Sequence, residues 1–329
     1  MPKRHFVTLF DKGFLNRGLC LYRSIAANCS TPFTFWVLCM DDETHEILTT
    51  MNLPHLKAVS MAEFEDDELK AVKKTRTFVE YCWTLSAWST WYVLQRNPDA
   101  ETVTYVDGDL FYYASIEPIY EACAGHSVMI IPHRLHGDAA KREAEVGKYN
   151  VGMLIFNNDA NARACLNWWK ERCLEWCYDQ VEPTRFGDQK YLDYFEEKFK
   201  GVWVLPWKGV NLASWNIEAY AGRITKKGDS VFIDGDPLIF FHFSRFKLYW
   251  PPSSWLPWGP PSLYIVPSIE KKLLYRPYAH AMYQAMTDIR KIRPDFTSGT
   301  LPRPSWYSEL VFTSFYYLKS LVKAILKRN

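Results

Sequence analysis

Strong net charge, long apolar runs and paired cysteines are all missing from this chain of 329 residues. A formal charge of +2 excludes nucleic-acid binding through a broad basic surface. No stretch approaches the roughly 20 apolar residues that a membrane span needs. At the N-terminus, Asp11 and Lys12 arrive before a secretory apolar region can form. The eight cysteines, at 20, 29, 39, 82, 123, 165, 173 and 177, contain no Cys-x-x-Cys pair. Cys165, Cys173 and Cys177 have no His at metal-ligand spacing, so zinc is not expected. All eight read as reduced, buried thiols, and the chain is expected in the cytoplasm. Aromatics, by contrast, are abundant, with 14 Trp, 20 Tyr and 20 Phe. They suit a large packed core and flat apolar faces that stack on sugars or bases. Hydrophobic and charged residues at 48% and 23% leave no reason to expect general disorder.

Apolar and helical segments alternate from the start. Residues 6–10 read as a buried strand, 15–27 as a helix with Leu15, Leu19, Tyr22 and Ile25 on one face, and 33–40 as a second strand. This succession implies parallel pairing through a right-handed crossover, as in a nucleotide-binding α/β sheet. Residues 61–74 read as a charged helix and 77–95 as an aromatic one. Strands are expected at 102–106, 128–132, 151–156, 202–205 and 238–243, the last two completing the sheet. Helices are expected over 160–176 and 187–199, the latter entered through Asp188 as a possible N-cap. Residues 135–149 are polar and suit a lid. Pro and Trp dominate from 249 to 267, which argues against regular structure and marks the edge of a catalytic domain. The expected division is 1–250, a Pro/Trp-rich and helical extension 251–305, and a basic amphipathic helix 306–329.

The most informative feature is Val106-Asp107-Gly108-Asp109, which ends the apolar strand Thr102-Val103-Thr104-Tyr105-Val106. Two carboxylates at the C-terminal edge of a strand lie where the crevice of an open α/β sheet opens, and Gly108 lets a ligand approach the backbone. Hard oxygen ligands there suit magnesium or manganese bridging to phosphates. Asp-Gly-Asp alone also makes a good polar turn.

Four further segments occur in order around that motif. With them the chain resembles the metal-dependent, retaining GT-A glycosyltransferases of family 8, nucleotide-sugar transferases that include bacterial lipopolysaccharide enzymes. Phe6-Val7-Thr8-Leu9-Phe10-Asp11 and the helix at Gly18-Leu19-Cys20 resemble the family's opening strand and helix, whose loop cradles the uridine. Tyr149-Asn150-Val151-Gly152 is similar to its Asn-x-Gly strand, Gly187-Asp188-Gln189 to its Asp-Gln pair, and His242-Phe243-Ser244 to its late His motif. The resemblance covers about residues 5–250. It implies a mixed, mostly parallel sheet flanked by helices, with a C-terminal amphipathic extension. It also implies metal ligation by Asp107, Asp109 and His242, and donor or acceptor contacts by Asn150, Asp188 and Gln189. Where the family has a Gly after the late His motif and a Lys six positions after the His, this chain has Arg245 and, five positions on, Lys247. Either cation suits a leaving diphosphate. Thr8, Phe10, Asp11, Asp41 and Gly108 are the remaining donor-side candidates.

The implied reaction moves a hexose from a UDP-sugar to a saccharide or lipid-linked saccharide acceptor in envelope synthesis, with a divalent cation, manganese or magnesium, as cofactor. Two other classes stay open. A sugar nucleotidyltransferase would use a related sheet, but Asp11-Lys12-Gly13-Phe14-Leu15-Asn16-Arg17-Gly18 is poor in glycine for a phosphate loop. A noncatalytic saccharide binder would need no metal ligands. In the tail, Tyr307, Val311, Phe315, Leu318, Leu321, Val322 and Ile325 recur at helical spacing, with Lys319, Lys323, Lys327 and Arg328 on the other face. That pattern suits an anionic membrane surface, and equally a helix docked on the domain with a solvated Lys edge.

Overall fold

The computed structural model describes residues 4–252 and 268–302. The tail helix expected over 306–329 lies outside the described residues, as does most of the Pro/Trp-rich stretch. Strands run in chain order as β1 (Arg4–Phe10), β2 (Phe33–Cys39), β3 (Leu56–Ser60), β4 (Thr102–Val106) and β5 (Leu110–Tyr112). Next come β6 (Val128–Pro132), β7 (Tyr149–Asn157), β8 (Val202–Val204) and β9 (Leu212–Ala213). The last are β10 (Ile224–Lys227), β11 (Ser230–Ile233), β12 (Asp236–Pro237), β13 (Phe240–His242), β14 (Leu248–Trp250) and β15 (Thr300–Pro302).

Seven of these form the central sheet in the order β3-β2-β1-β4-β7-β6-β8. Its first half is parallel, β4 pairs antiparallel with β7, and β6 pairs antiparallel with β7 and parallel with β8. The chain builds outward from β1 through β2 to β3, then returns to place β4 on the other side of β1. That reversal is the topological switch at which open α/β sheets bind ligands.

Near-continuous apolar strands mark a sheet covered on both faces. Alternate residues of β2 divide accordingly: Phe33, Phe35 and Val37 enter one core, Trp36 and Leu38 the other. The first core is closed by the helices Leu15–Asn28 and Arg276–Ile292, the second by Phe78–Arg96 and Ala160–Glu175. Burying each Phe of these cores is worth about 1.5–3 kcal/mol. A capping box starts Phe78–Arg96: Thr77 accepts from the Glu80 N–H, and the Glu80 carboxylate accepts from the Thr77 N–H. Among the described residues no helix is long and apolar enough to cross a membrane.

Several expectations need correction. Residues 240–242 do not complete the central sheet. They form β13 of a separate three-stranded sheet, β5-β13-β9, because β13 is buried throughout and zips onto β5. The expected helix 187–199 is a 3-10 turn, Lys190–Tyr194, followed by Phe195–Lys198, and Asp188 caps neither. Residues 61–74 break into Met61–Phe64 and Asp67–Lys73, each with its own side-chain cap, Ser60 and Asp66. The lid candidate folds into short turns, Gly137–Arg142 and Glu143–Val146, anchored where Lys190 Nζ donates to the Ala144 carbonyl at 2.7 Å. Tyr249 and Trp250, read as irregular, belong to β14, which pairs parallel with β15. The described part of the expected extension, including Tyr278, Met282 and Ile289, lies in the same core as β1.

Candidate metal centre

Beyond Val106 the chain leaves the sheet in a tight turn. The Asp107 N–H donates to the Gly152 carbonyl at 2.9 Å, and the Leu110 N–H closes back on the Asp107 carbonyl at 3.3 Å. β5 then begins, and β13 pairs with it so that His242 stands opposite Leu110. The Phe243 N–H reaches the Asp109 carbonyl at 2.9 Å. This register brings a residue 133 positions after Asp109 into the site. His242 Nε2 lies 3.0 Å from Asp109 Oδ1 and 3.8 Å from Asp107 Oδ2. One ligand atom from each of the three falls within 4.8 Å of the others.

Electrostatics agree with a cation-seeking cluster. Burial, reinforced by the like charge of Asp109, pushes Asp107 up to about 6 although His242 opposes it. Its side chain keeps 29% exposure, an open side for a ligand. Burial also acts upward on Asp109, but His242 and the nearby Arg17 outweigh it and hold this carboxyl below its ordinary value. Burial acts downward on His242, and Asp109 and Asp107 reverse the sign. Two carboxylates and one imidazole are a donor set that fits manganese, and a bound cation would relieve the repulsion between the carboxylates.

Asn150 and Gly152 explain each other. The Gly152 N–H donates to Asn150 Oδ1 at 3.1 Å, while Asn150 Nδ2 stands 3.2 Å from His133 Nε2. A Cβ at Gly152 would lie 2.5 Å from Asn150 Oδ1 and 3.1 Å from His242 Nδ1. Glycine is therefore imposed by the closeness of the imidazole. A bulge between Met129 and Ile131 sets this end of β7 opposite β6. His133 is buried and held neutral, pushed down to about 4 by desolvation.

Asp188 reaches the same centre from a distant loop. Burial, with Asp107 nearby, pushes its carboxyl up to about 7, and a hydrogen bond from Ser86 offsets part of the rise. Trp169 Nε1 donates to the Asp188 carbonyl at 2.8 Å and fixes the backbone. Tyr105 links the two carboxylates: its hydroxyl donates to Asp107 Oδ1 at 3.1 Å and lies 3.2 Å from Ser86 Oγ. Gln189 follows, half-buried, at the start of the 3-10 turn.

On the nucleotide side the candidates separate. The Thr8 hydroxyl is buried without a partner and faces Gly108, where a Cβ would meet only ordinary contacts of 3.6–3.9 Å. Packing does not force a glycine there, so ligand approach is the remaining reason for it. Phe10 is buried against Gly18, and the exposed ring beside Gly108 is Phe14, at 42% exposure. Asp41 spends one oxygen capping Asp42–Met51 through Thr44 and the other on the Lys12 N–H, both at 2.7 Å. Asp11 is raised by burial and by neighbouring Asp41. Arg245 and Lys247 are exposed on the turn after β13, with Arg245 at φ 61°.

Sequence reading missed Tyr105, Ser86, His133 and Arg17. The signal for Ser86 was a run of small polar residues, Thr84, Ser86, Ser89 and Thr90, on the buried face of an aromatic helix. His133, five positions past the bulge strand's start, carried none.

No protein-family model matches the chain. It is 37% identical over 249 residues to the uncharacterized protein YfnF of Bacillus subtilis (strain 168), covering 74% of this chain and 82% of that protein. It is 32% identical over 305 residues to the uncharacterized protein YfnD of the same organism, covering 92% and 96%. The chain belongs to the YfnF/YfnD family. Among solved structures, this family member is similar to the glycosyltransferase GlyE of Streptococcus pneumoniae TIGR4, with a TM-score of 0.51 and 14% identity. The match covers 92% of this chain and 66% of GlyE. Galactosyltransferase LgtC, in a complex with donor and acceptor sugar analogs, gives a TM-score of 0.47 and 17% identity over 82% of this chain. The fold of this YfnF/YfnD family member is that of the GT-A glycosyltransferases, of the family 8 type.

Proposed function

We propose that the protein is a metal-dependent glycosyltransferase that moves a hexose from a UDP-sugar to a saccharide or lipid-linked saccharide acceptor of the cell envelope, with retention. The observation that carries this reading is the Asp107, Asp109 and His242 cluster at the sheet's switch point. Manganese, or magnesium, is the cation that the three side chains would hold. When bound, it supplies Lewis-acid stabilisation of the departing diphosphate.

The chain's own residues divide the remaining work. Thr8, Asp11 and the backbone at Gly108 line the nucleotide side, and the exposed cations Arg245 and Lys247 face the charge that builds on the diphosphate. Asp188 and Gln189 steady the oxocarbenium-like sugar, and Asn150 orients a hydroxyl through its free N–H and lone pair. As the C1–O bond to the diphosphate breaks, the acceptor oxygen bonds to C1 on the same face, and its proton passes to the leaving phosphate oxygen. A cytoplasmic enzyme held at the inner membrane face through residues 306–329 would meet a lipid-linked acceptor there.

The test is calorimetric titration of UDP against GDP, with and without manganese, on wild type and Asp109→Ala. Metal-dependent UDP binding that the substitution abolishes supports the reading and opens a screen of UDP-sugars for hydrolysis and transfer. Absence of metal-dependent nucleotide binding overturns it in favour of a saccharide-binding protein.

A further inference from the structure

Arg17 is a buried cation that spends itself on carbonyls. It is 3% exposed, in the first turn of the helix Leu15–Asn28. Its Nε and Nη2 both donate to the Phe246 carbonyl, at 3.2 and 2.6 Å, and its Nη1 donates to the Gly13 carbonyl at 2.8 Å. Its guanidinium also covers the Phe14 ring, 4.5 Å from the ring centre. Among the described residues its bonds include no ion pair. Burying a guanidinium without one is costly unless its charge serves something nearby.

What it grips is informative. Phe246 separates the two exposed cations, Arg245 and Lys247, on a turn closed by the Phe246 N–H donating to the Phe243 carbonyl at 3.0 Å. Gly13 belongs to the loop after β1, on the nucleotide side, and lies against Asp11. One guanidinium therefore joins the two segments expected to flank a nucleoside diphosphate, 229 residues apart in sequence on the longer arm.

The geometry points to Arg17 as a positioning residue that holds the Arg245–Lys247 turn against the first loop, so that the diphosphate of the donor meets a preset pair of cations. The inference rests on the donor-site reading above and adds to it where the diphosphate is gripped and by what means. A Lys ammonium cannot reproduce the fork that places two N–H groups on one carbonyl and a third on another. The arrangement also balances charge: Asp107, Asp109 and Asp188 contribute three carboxylates, against which Arg17 supplies one fixed positive charge before any cation or donor arrives.

The experiment compares manganese-dependent binding of UDP and of uridine to wild type, Arg17→Lys, Arg17→Met and the turn variant Arg245→Ala/Lys247→Ala, with thermal melting alongside. The expected result is that UDP affinity falls about tenfold in Arg17→Lys and further in Arg17→Met, while uridine affinity holds, so the preference for UDP shrinks. With a UDP-sugar, KM for the donor should rise more than kcat falls. A merely structural Arg17 would lower the melting temperature and the active fraction while the surviving protein kept its UDP preference, and that outcome overturns the inference. Should Arg17 variants fail to fold, the turn variant decides: its surface substitutions must reduce the UDP preference, and an unchanged preference removes the turn from the diphosphate. If wild type itself shows no preference for UDP over uridine with manganese, the donor-site reading fails first.

Discussion

The two halves of the central sheet differ in how they serve the site. The parallel half, β3-β2-β1-β4, offers what lies immediately after its strands: Thr8, Asp11, Asp41 and the Asp107-Gly108-Asp109 turn. The other half and the small sheet beside it contribute Asn150, His133, Asp188 and His242 through pairings between segments far apart in the chain. A strand end is a local property of sequence; a partner brought by register is not. The difference teaches that the first half supplies a generic nucleotide crevice, and that the second makes it a particular catalyst.

The sharpest way to break this comparison is to remove the carboxylate that belongs to both halves. Asp109→Ala should lower manganese-dependent UDP affinity by more than about 100-fold, read by calorimetry, since it deletes a ligand rather than a supporting contact. A loss below tenfold would show that the parallel half binds nucleotide without the cluster.

Asp188→Asn probes the second half alone. It keeps shape and hydrogen bonding but removes charge, so kcat for sugar transfer or UDP-sugar hydrolysis should fall about 10²–10³-fold. UDP affinity should stay within a few-fold of wild type. Equal loss of both would place Asp188 in the nucleotide site instead.

Gly152→Ala addresses the contact between halves. A methyl group 2.5 Å from Asn150 Oδ1 and 3.1 Å from His242 Nδ1 must push both aside. Stability should drop by about 1–3 kcal/mol in denaturant titration, and manganese affinity by about tenfold.

The smallest effect on function is expected at the opposite edge of the parallel half. There Glu117 accepts from the Thr31 and Ser30 N–H groups and pairs with Arg4 at 2.6 Å. Burial acts to raise its carboxyl, but the Thr31 and Arg4 bonds win and hold it at about 2 against an ordinary 4.5. Because the folded value is depressed, its stabilisation is complete above pH 4.5 and disappears as pH falls from there towards 2. Glu117→Gln should cost about 1–3 kcal/mol at pH 7 and flatten that acid limb, leaving UDP binding unaltered.

Legibility followed the same division. Unbroken apolar runs made β1, β2, β4 and β6 readable within a residue or two, because a strand covered on both faces needs little else. The helix Phe78–Arg96 was readable from Thr77 and Glu80. β13 was readable as a strand but not as a member of the smaller sheet, since Phe240, Phe241 and Phe243 are equally apolar whichever edge they join. Asp188 looked like a helix cap because Asp before a helical pattern usually is one; the segment tightened into a 3-10 turn and turned the carboxylate inward. Phe10 and Phe14 show the limit for aromatics. Both flank the same loop, and only packing against Gly18 decides that the first is buried and the second exposed.

The pairing of β5 with β13 has a temporal side. Everything between residues 113 and 239 is chain that must be made before the imidazole can dock opposite Leu110. During synthesis, two facing carboxylates therefore wait without their third companion until the strand Phe240–His242 emerges. The cation site is the last thing the nascent protein finishes, so competence to hold metal marks a chain that has been made and threaded past residue 242.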